Sequence, residues 1–109
     1  MKDHRILSQR QELAAEEELF TALLRLQTVA ELRAFFQDLC TPAELQAMKD
    51  RWLVVELLAA GLKYREIHDR SGVSVTTIGR VARCLHDGAG GYRQALERLK
   101  DDQSKKGAS

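Results

Sequence analysis

Apolar residues recur along this chain at the spacing of helices rather than of strands. Between about residues 13 and 26, leucines and a phenylalanine stand three or four positions apart and form one side of a predicted first helix. A second predicted helix starts at Thr28, where Thr-Val-Ala-Glu fits a capping box, and ends near Leu39. One proline and seven glycines interrupt this pattern, and no segment alternates as a strand does. The sequence therefore predicts an all-α fold.

The third predicted helix has the clearest start in the chain. Thr41 supplies an N-cap, Pro42 stands at the first helical position and Glu44 at the third. The helix continues through WLVVELLAA, which is apolar almost all the way round, to a stop at Gly61. Such a helix has to be buried on more than one side, either at the centre of the domain or partly against a second chain. We therefore expect a homodimer.

Two short helices follow, predicted at about residues 64–70 and 75–85, and a tight turn joins them. Gly72 stands where such a turn commonly needs a positive φ, and Ser74 is placed to cap the second helix. Two short helices with a glycine turn form a helix-turn-helix arrangement, provided that apolar residues lie where they cross. The residues predicted to face inward there are Ile67, Val73, Ile78, Val81 and Leu85.

A glycine-rich loop and a last amphipathic helix at about residues 92–100 complete the predicted elements. The final stretch, DDQSKKGAS, is polar throughout and offers nothing to pack. We therefore divide the chain into an N-terminal arm (1–12), a helical domain (13–100) and a disordered tail (101–109).

With the apolar side turned inward, the helix at 75–85 presents a face that contains no acid. Its arginines can reach phosphates or guanine, and its small residues let the backbone come close, so the face fits a DNA major groove. The net charge is only +1, but residues 62–86 hold five Lys and Arg against two acids, which supplies the local clustering that DNA affinity needs. The residues of this outward face are Val75, Thr76, Gly79, Arg80 and Arg83. The alternative interpretation is an ordinary helical hairpin whose basic face is only solvated.

Composition and residue spacing also bear on whether the protein holds a disulfide, a metal or a cofactor, where it acts and whether it is an enzyme. A chain of 109 residues is expected to form one core. Its two cysteines are far apart and its histidines lack metal-ligand spacing, so we expect no disulfide, metal or cofactor. Without a signal peptide or an apolar run of bilayer length, the protein is expected in the cytoplasm, away from membranes. No arrangement of nucleophile and base and no phosphate-binding loop is visible, so no enzyme is predicted.

Motifs spread over about residues 13–99 resemble a known family. In chain order they are LCTPAE at 39–44, Arg51, VELL at 55–58, Gly61, YREI at 64–67, TTI at 76–78 and Arg80. Together they resemble the Trp repressor superfamily, and RCL at 83–85 with Gly88 and the Gly91-Tyr92 pair is most similar to its YerC/YecD branch. The resemblance implies an intertwined, all-helical homodimer that binds operator DNA as a transcriptional regulator.

The resemblance also assigns site residues. DNA contacts fall on Arg65, His68, Val75, Thr76, Gly79 and Arg80, to which Arg83 is added for its outward position. The tryptophan pocket of the family falls on Thr41, Arg51, Thr77 and Arg80, with Val81 in place of a glycine and Cys84 in place of a serine.

These two departures from the pocket pattern argue against tryptophan as a co-repressor, because a branched side chain would intrude on the indole and a thiol bonds weakly. The sequence thus favours a sequence-specific, double-stranded DNA-binding regulator that acts as a homodimeric repressor. Two alternatives stay open: a protein-interaction module that uses the basic helix-turn-helix surface, and a repressor that depends on tryptophan or another small molecule.

Overall fold

A computed structural model describes residues 6–108, and in that range the chain forms six helices and no strand. The predicted all-α fold is therefore confirmed. Contacts within the chain divide it into two units, Met1–Pro42 and Ala43–Ser109. None of the helices in the described range is long and apolar enough to cross a membrane. The helices are α1 (Gln9–Arg25), α2 (Val29–Leu39), α3 (Pro42–Ala59), α4 (Tyr64–Ser71), α5 (Val75–Asp87) and α6 (Gly91–Ala108).

Helix α1 begins at Gln9, four positions earlier than the sequence pattern predicts. Ser8 explains the early start, because its hydroxyl accepts a hydrogen bond from the Gln11 backbone N–H at 3.2 Å. The Gln11 side chain in turn accepts from the Ser8 backbone N–H at 2.8 Å, which completes a capping box. The predicted arm at 1–12 is thus partly helical, and its residues 1–5 lie outside the described range.

Helix α2 begins after Thr28 as predicted, but only half of the predicted capping box forms. The Thr28 hydroxyl accepts from the Glu31 backbone N–H at 3.0 Å. The Glu31 carboxylate reaches one residue further back than the motif requires and accepts from the Gln27 backbone N–H at 2.7 Å. The Gln27 N–H lies just outside the helix, so this bond does not change the start of α2, which is where the sequence predicts it.

Neither α1 nor α2 has a buried residue in the single chain. Phe35 and Phe36 contact each other edge to face, with ring centroids 5.9 Å apart. Much of the remaining apolar surface of this unit is exposed, which is unusual for a stable folded segment. Its exposed large apolar side chains include Leu13, Phe20, Leu24, Val29 and Leu39.

The second unit contains the core. Apolar side chains from α3, α4, α5 and the turn between α4 and α5 meet there, and partly buried side chains of α3 and α6 pack around them. The predicted inward positions of α4, α5 and their turn are confirmed, with Leu85 partly buried at the edge. The core residues are Val54, Val55, Ile67, Val73, Ile78 and Val81.

Helix α3 runs from Pro42 to a glycine stop, as predicted. Gly61 has φ of 90°, and its N–H donates to the Leu58 carbonyl at 3.0 Å. The Leu62 N–H donates to the Leu57 carbonyl at 3.2 Å, and both of these leucines pack against the core. This double closure is a Schellman motif, which turns the chain sharply from α3 towards α4.

Helix α6 differs from the sequence prediction at its end. The helix continues to Ala108, whereas the polar composition predicts a disordered tail from residue 101. No proline or glycine interrupts the chain between Gly91 and Gly107, so the backbone hydrogen-bond pattern of the helix can continue through polar residues. Ser109 lies outside the described residues.

Candidate nucleic-acid interface

The turn between α4 and α5 is braced by side chains as well as by Gly72. Gly72 has φ of 77°, as predicted, and its N–H donates to the His68 carbonyl at 2.8 Å. The Ser71 hydroxyl donates to the Ile67 carbonyl at 2.6 Å and accepts from the Val73 N–H at 3.1 Å. These bonds fix the course of the chain between the two short helices.

His68 adds a bond across the same turn that the sequence pattern did not reveal. Its Nδ1 lies 2.8 Å from the Val73 carbonyl oxygen. Because a carbonyl oxygen only accepts, this bond needs the ring proton on Nδ1. His68 occupies a crossing position where many helix-turn-helix motifs carry a small residue, and here the larger ring is accommodated by tying the turn together.

The first turn of α5 is capped as predicted. The Ser74 hydroxyl accepts from the Thr77 backbone N–H at 3.1 Å and donates to the Thr77 hydroxyl at 3.0 Å. No acid stands in this first turn, and α5 has none before Asp87. The N-terminal end of a helix carries partial positive charge, so the start of α5 favours a negatively charged partner.

All seven predicted DNA contacts lie on α4 or α5, in one unit of the chain. Helix α5 buries Ile78, Val81 and Ala82 on one side. The predicted contacts on α5 are exposed except Gly79, which is half-buried, and Val75 keeps 54% of its surface exposed. The two predicted contacts on α4, Arg65 and His68, are exposed as well. The arrangement thus leaves a cationic, partly apolar face free for a partner.

Gly79 is not required by packing within its own chain. Apart from the neighbouring backbone of α5 itself, a Cβ atom built at this position meets no heavy atom within 4 Å among the described residues. Glycine in a helix costs about 1 kcal/mol relative to alanine. A helix interior that keeps glycine without an internal packing reason is consistent with a partner that approaches the backbone closely at this point.

Replacing Gly79 with alanine should therefore separate stability from binding. We expect Gly79→Ala to raise the free energy of unfolding by up to about 1 kcal/mol, because alanine favours the helix. The same variant should bind DNA more weakly, since the added methyl group holds the backbone away from the groove. Chemical denaturation and DNA titration measure the two effects. A variant that is more stable and binds DNA as well as the unaltered protein would contradict a close approach at Gly79.

The residues of the predicted ligand pocket differ more in their burial than the predicted DNA contacts do. Arg51 on α3 and Thr77 on α5 are half-buried, and Arg80 is exposed. Val81 is only 1% exposed and belongs to the core. Its side chain packs in the interior of the unit, as its helical spacing predicts.

The other two pocket candidates are Cys84 and Thr41. Cys84 is exposed and, with residues 88–92, lines a shallow apolar depression beside the loop after α5. Thr41 belongs to the first unit, immediately before α3. The pocket assignment as a whole remains a prediction.

The C-terminal end of α5 has a brace that sequence reasoning missed. The Arg93 guanidinium donates from Nε to the Leu85 carbonyl at 2.9 Å and from Nη2 to the His86 carbonyl at 3.1 Å. The Gly88 N–H donates to the Cys84 carbonyl at 2.9 Å. A Cβ at Gly88 would overlap that carbonyl oxygen, so this position has no room for a side chain. The only sequence signal was a basic residue soon after a helix end.

Together, these features define a small all-helical domain whose helix α5 carries an exposed cationic face. The family model described as Trp repressor protein matches residues 14–100. The chain belongs to the Trp repressor family and, within it, to the YerC-like branch.

Relatives from three bacteria agree with this assignment. The uncharacterized protein YerC of Bacillus subtilis (strain 168) is 39% identical over 88 residues, which are 81% of this chain and 85% of YerC. A TrpR-like protein from Eubacterium eligens ATCC 27750 has a crystal structure that is similar with a TM-score of 0.76 and 38% identity, over 80% of this chain and 90% of that one. The crystal structure of a candidate Trp repressor from Staphylococcus aureus is similar with a TM-score of 0.77 and 38% identity, over 86% of this chain and 96% of that one.

Proposed function

We propose that this protein is a sequence-specific DNA-binding transcriptional repressor that acts in the cytoplasm as a homodimer. Helices α4 and α5 and their turn form a helix-turn-helix, and α5 enters the major groove. The observation that carries the proposal is the two-sided character of α5: Ile78 and Val81 are buried on one side, while the other side is cationic and has no acid before Asp87, the last residue of the helix. Family membership supports the same function.

The exposed apolar surface of α1 and α2 supports the homodimer. Leu13 and Leu24 keep 66% and 83% of their surface exposed, and neither helix has a buried residue. A second copy of the chain that packs against these helices removes this surface from water. Two copies related by a two-fold axis also place their α5 helices in successive major grooves, about 34 Å apart on a palindromic site.

Selection of genomic DNA fragments by the purified protein tests this proposal. At about 150 mM salt, non-specific phosphate contacts are weakened and specific sites stand out. We expect enrichment of a two-fold symmetric sequence without any added ligand. A parallel selection with L-tryptophan examines whether Arg51, Thr77 and Arg80 hold a co-repressor, in which case enrichment should appear or sharpen only in its presence.

Absence of enrichment in both selections, followed by no binding to any duplex at low salt, would contradict the proposal. The basic surface of α4 and α5 would then be assigned to an acidic protein partner. Enrichment of a sequence without two-fold symmetry would support DNA binding but contradict the symmetric dimer, so the two parts of the proposal can fail separately.

A further inference from the structure

The guanidinium of Arg93 connects the first turn of α6 to the last turn of α5. Its two bonds reach the Leu85 and His86 carbonyls, eight and seven residues earlier in the chain. The first turn of α6 is itself held on the core, because the ring of Tyr92 lies 6.2 Å from that of Trp52 and Leu96 packs against the core residues. Arg93 is therefore anchored at one end to the body of the second unit.

The last turn of α5 has little else to hold it. Ala82 is the last buried residue of the helix; beyond it Leu85 is half-buried and the other side chains are exposed. The last four carbonyls of any helix lack partners within it. In α5, the Cys84 carbonyl accepts from the Gly88 N–H, and Arg93 supplies donors for the next two. A cation at this end also opposes the negative end of the helix dipole.

We propose that Arg93 is a positioning residue for DNA binding: it holds the last turn of α5 and thereby directs Arg83, which lies just before that turn, towards the DNA. The inference rests on the proposed function. Arg93 acts through the backbone of α5 and touches no DNA itself. Its loss lets the end of α5 fray, so that Arg83 is no longer held in one direction while the buried half of the helix stays in place.

A double-mutant cycle on Arg83 and Arg93 tests this role in the full-length protein, with the DNA sequence selected as described above. Arg93→Gln should weaken binding about three- to tenfold, the range that one or two exposed hydrogen bonds correspond to. In the Arg83→Ala background the same substitution should weaken binding less than about twofold, because the residue that it directs is gone. Equal effects in both backgrounds would overturn the inference.

Two control variants separate positioning from charge. Arg98→Gln removes one cation from an exposed position on the same helix, and it should change DNA affinity less than Arg93→Gln. Arg93→Lys keeps the charge but loses the forked donor, and it should recover only part of the affinity. Equal losses in Arg93→Gln and Arg98→Gln would show that charge alone matters and would overturn the inference.

Amide hydrogen exchange distinguishes failure of the inference from failure of the proposed function. Arg93→Gln should speed exchange at residues 86–88 and leave the buried half of α5 protected. Unchanged exchange at these amides overturns the inference even if the protein binds DNA. If the unaltered protein binds no duplex, the proposed function fails and the inference fails with it; if it binds and the cycle is additive, only the inference fails.

Discussion

Replacing Arg80 with alanine should weaken DNA binding about a hundredfold. Arg80 is exposed on the cationic face of α5, one turn after Thr76. An arginine that reaches a phosphate or guanine contributes about 1–3 kcal/mol; a loss of about 1.4 kcal/mol, within this range, is a factor of ten for each protomer, and a two-fold symmetric dimer loses it twice. Titration of the selected DNA site at several salt concentrations should also show a flatter dependence on salt, because phosphate contacts are lost.

Two comparison variants show whether the loss of affinity in Arg80→Ala is specific to this position. Lys100→Ala removes an exposed cation from α6, which carries none of the predicted DNA contacts, and should leave the affinity nearly unchanged. Thr76→Ala removes a candidate contact to base edges and should change which sequence is preferred more than it changes the salt dependence. If Arg80→Ala binds DNA with unaltered affinity and salt dependence, α5 does not meet DNA with this face.

The starts and stops of the central helices could be predicted because their signals are local. Pro42 marks the start of α3, Gly61 its stop, and Ser74 the start of α5, and each acts within a few residues of its own position. The inward positions Ile67 and Ile78 follow from helical spacing for the same reason.

The braces at the two ends of α5 could not be predicted, because they depend on how separate elements meet. His68 reaches Val73 only after the turn has brought the chain back, and Arg93 reaches Leu85 only after the loop has placed α6 beside α5. Neither of these two hydrogen bonds can be deduced from how far apart the residues stand in the sequence.

Helical periodicity also does not show whether an apolar face packs within its own chain or against a second copy of the chain. The leucines of α1 are spaced as a buried stripe requires, yet the structure of the single chain leaves Leu24 and Leu13 largely exposed. The spacing of the leucines therefore predicts the helix correctly, but it does not show which surface packs against the apolar face of that helix. A substitution that behaves differently in a monomer and in a dimer resolves this point.

Leu24→Glu should disrupt the proposed homodimer and abolish binding to a palindromic site. Leu24 is 83% exposed in the single chain, so in a monomer a glutamate there should change stability by less than about 0.5 kcal/mol. If the partner covers this position, two unpaired carboxylates are buried per dimer, each at a cost of several kcal/mol. Light scattering after size exclusion should report a monomer or an unfolded chain, and DNA titration should show a loss of at least about a hundredfold.

Ala22→Glu is the matched control, because two residues along a helix are about 200° apart and Ala22 thus lies on the opposite side of α1. It introduces the same charge into the same helix and should leave the dimer intact. Melting temperatures add an independent criterion, since a dimer that folds as it assembles melts at higher temperature when its concentration rises. The unaltered protein and Ala22→Glu should show this dependence. If Leu24→Glu shares it and binds DNA normally, the exposed face of α1 is not the dimer interface, and the apolar surface of α3 becomes the next place to introduce a charge.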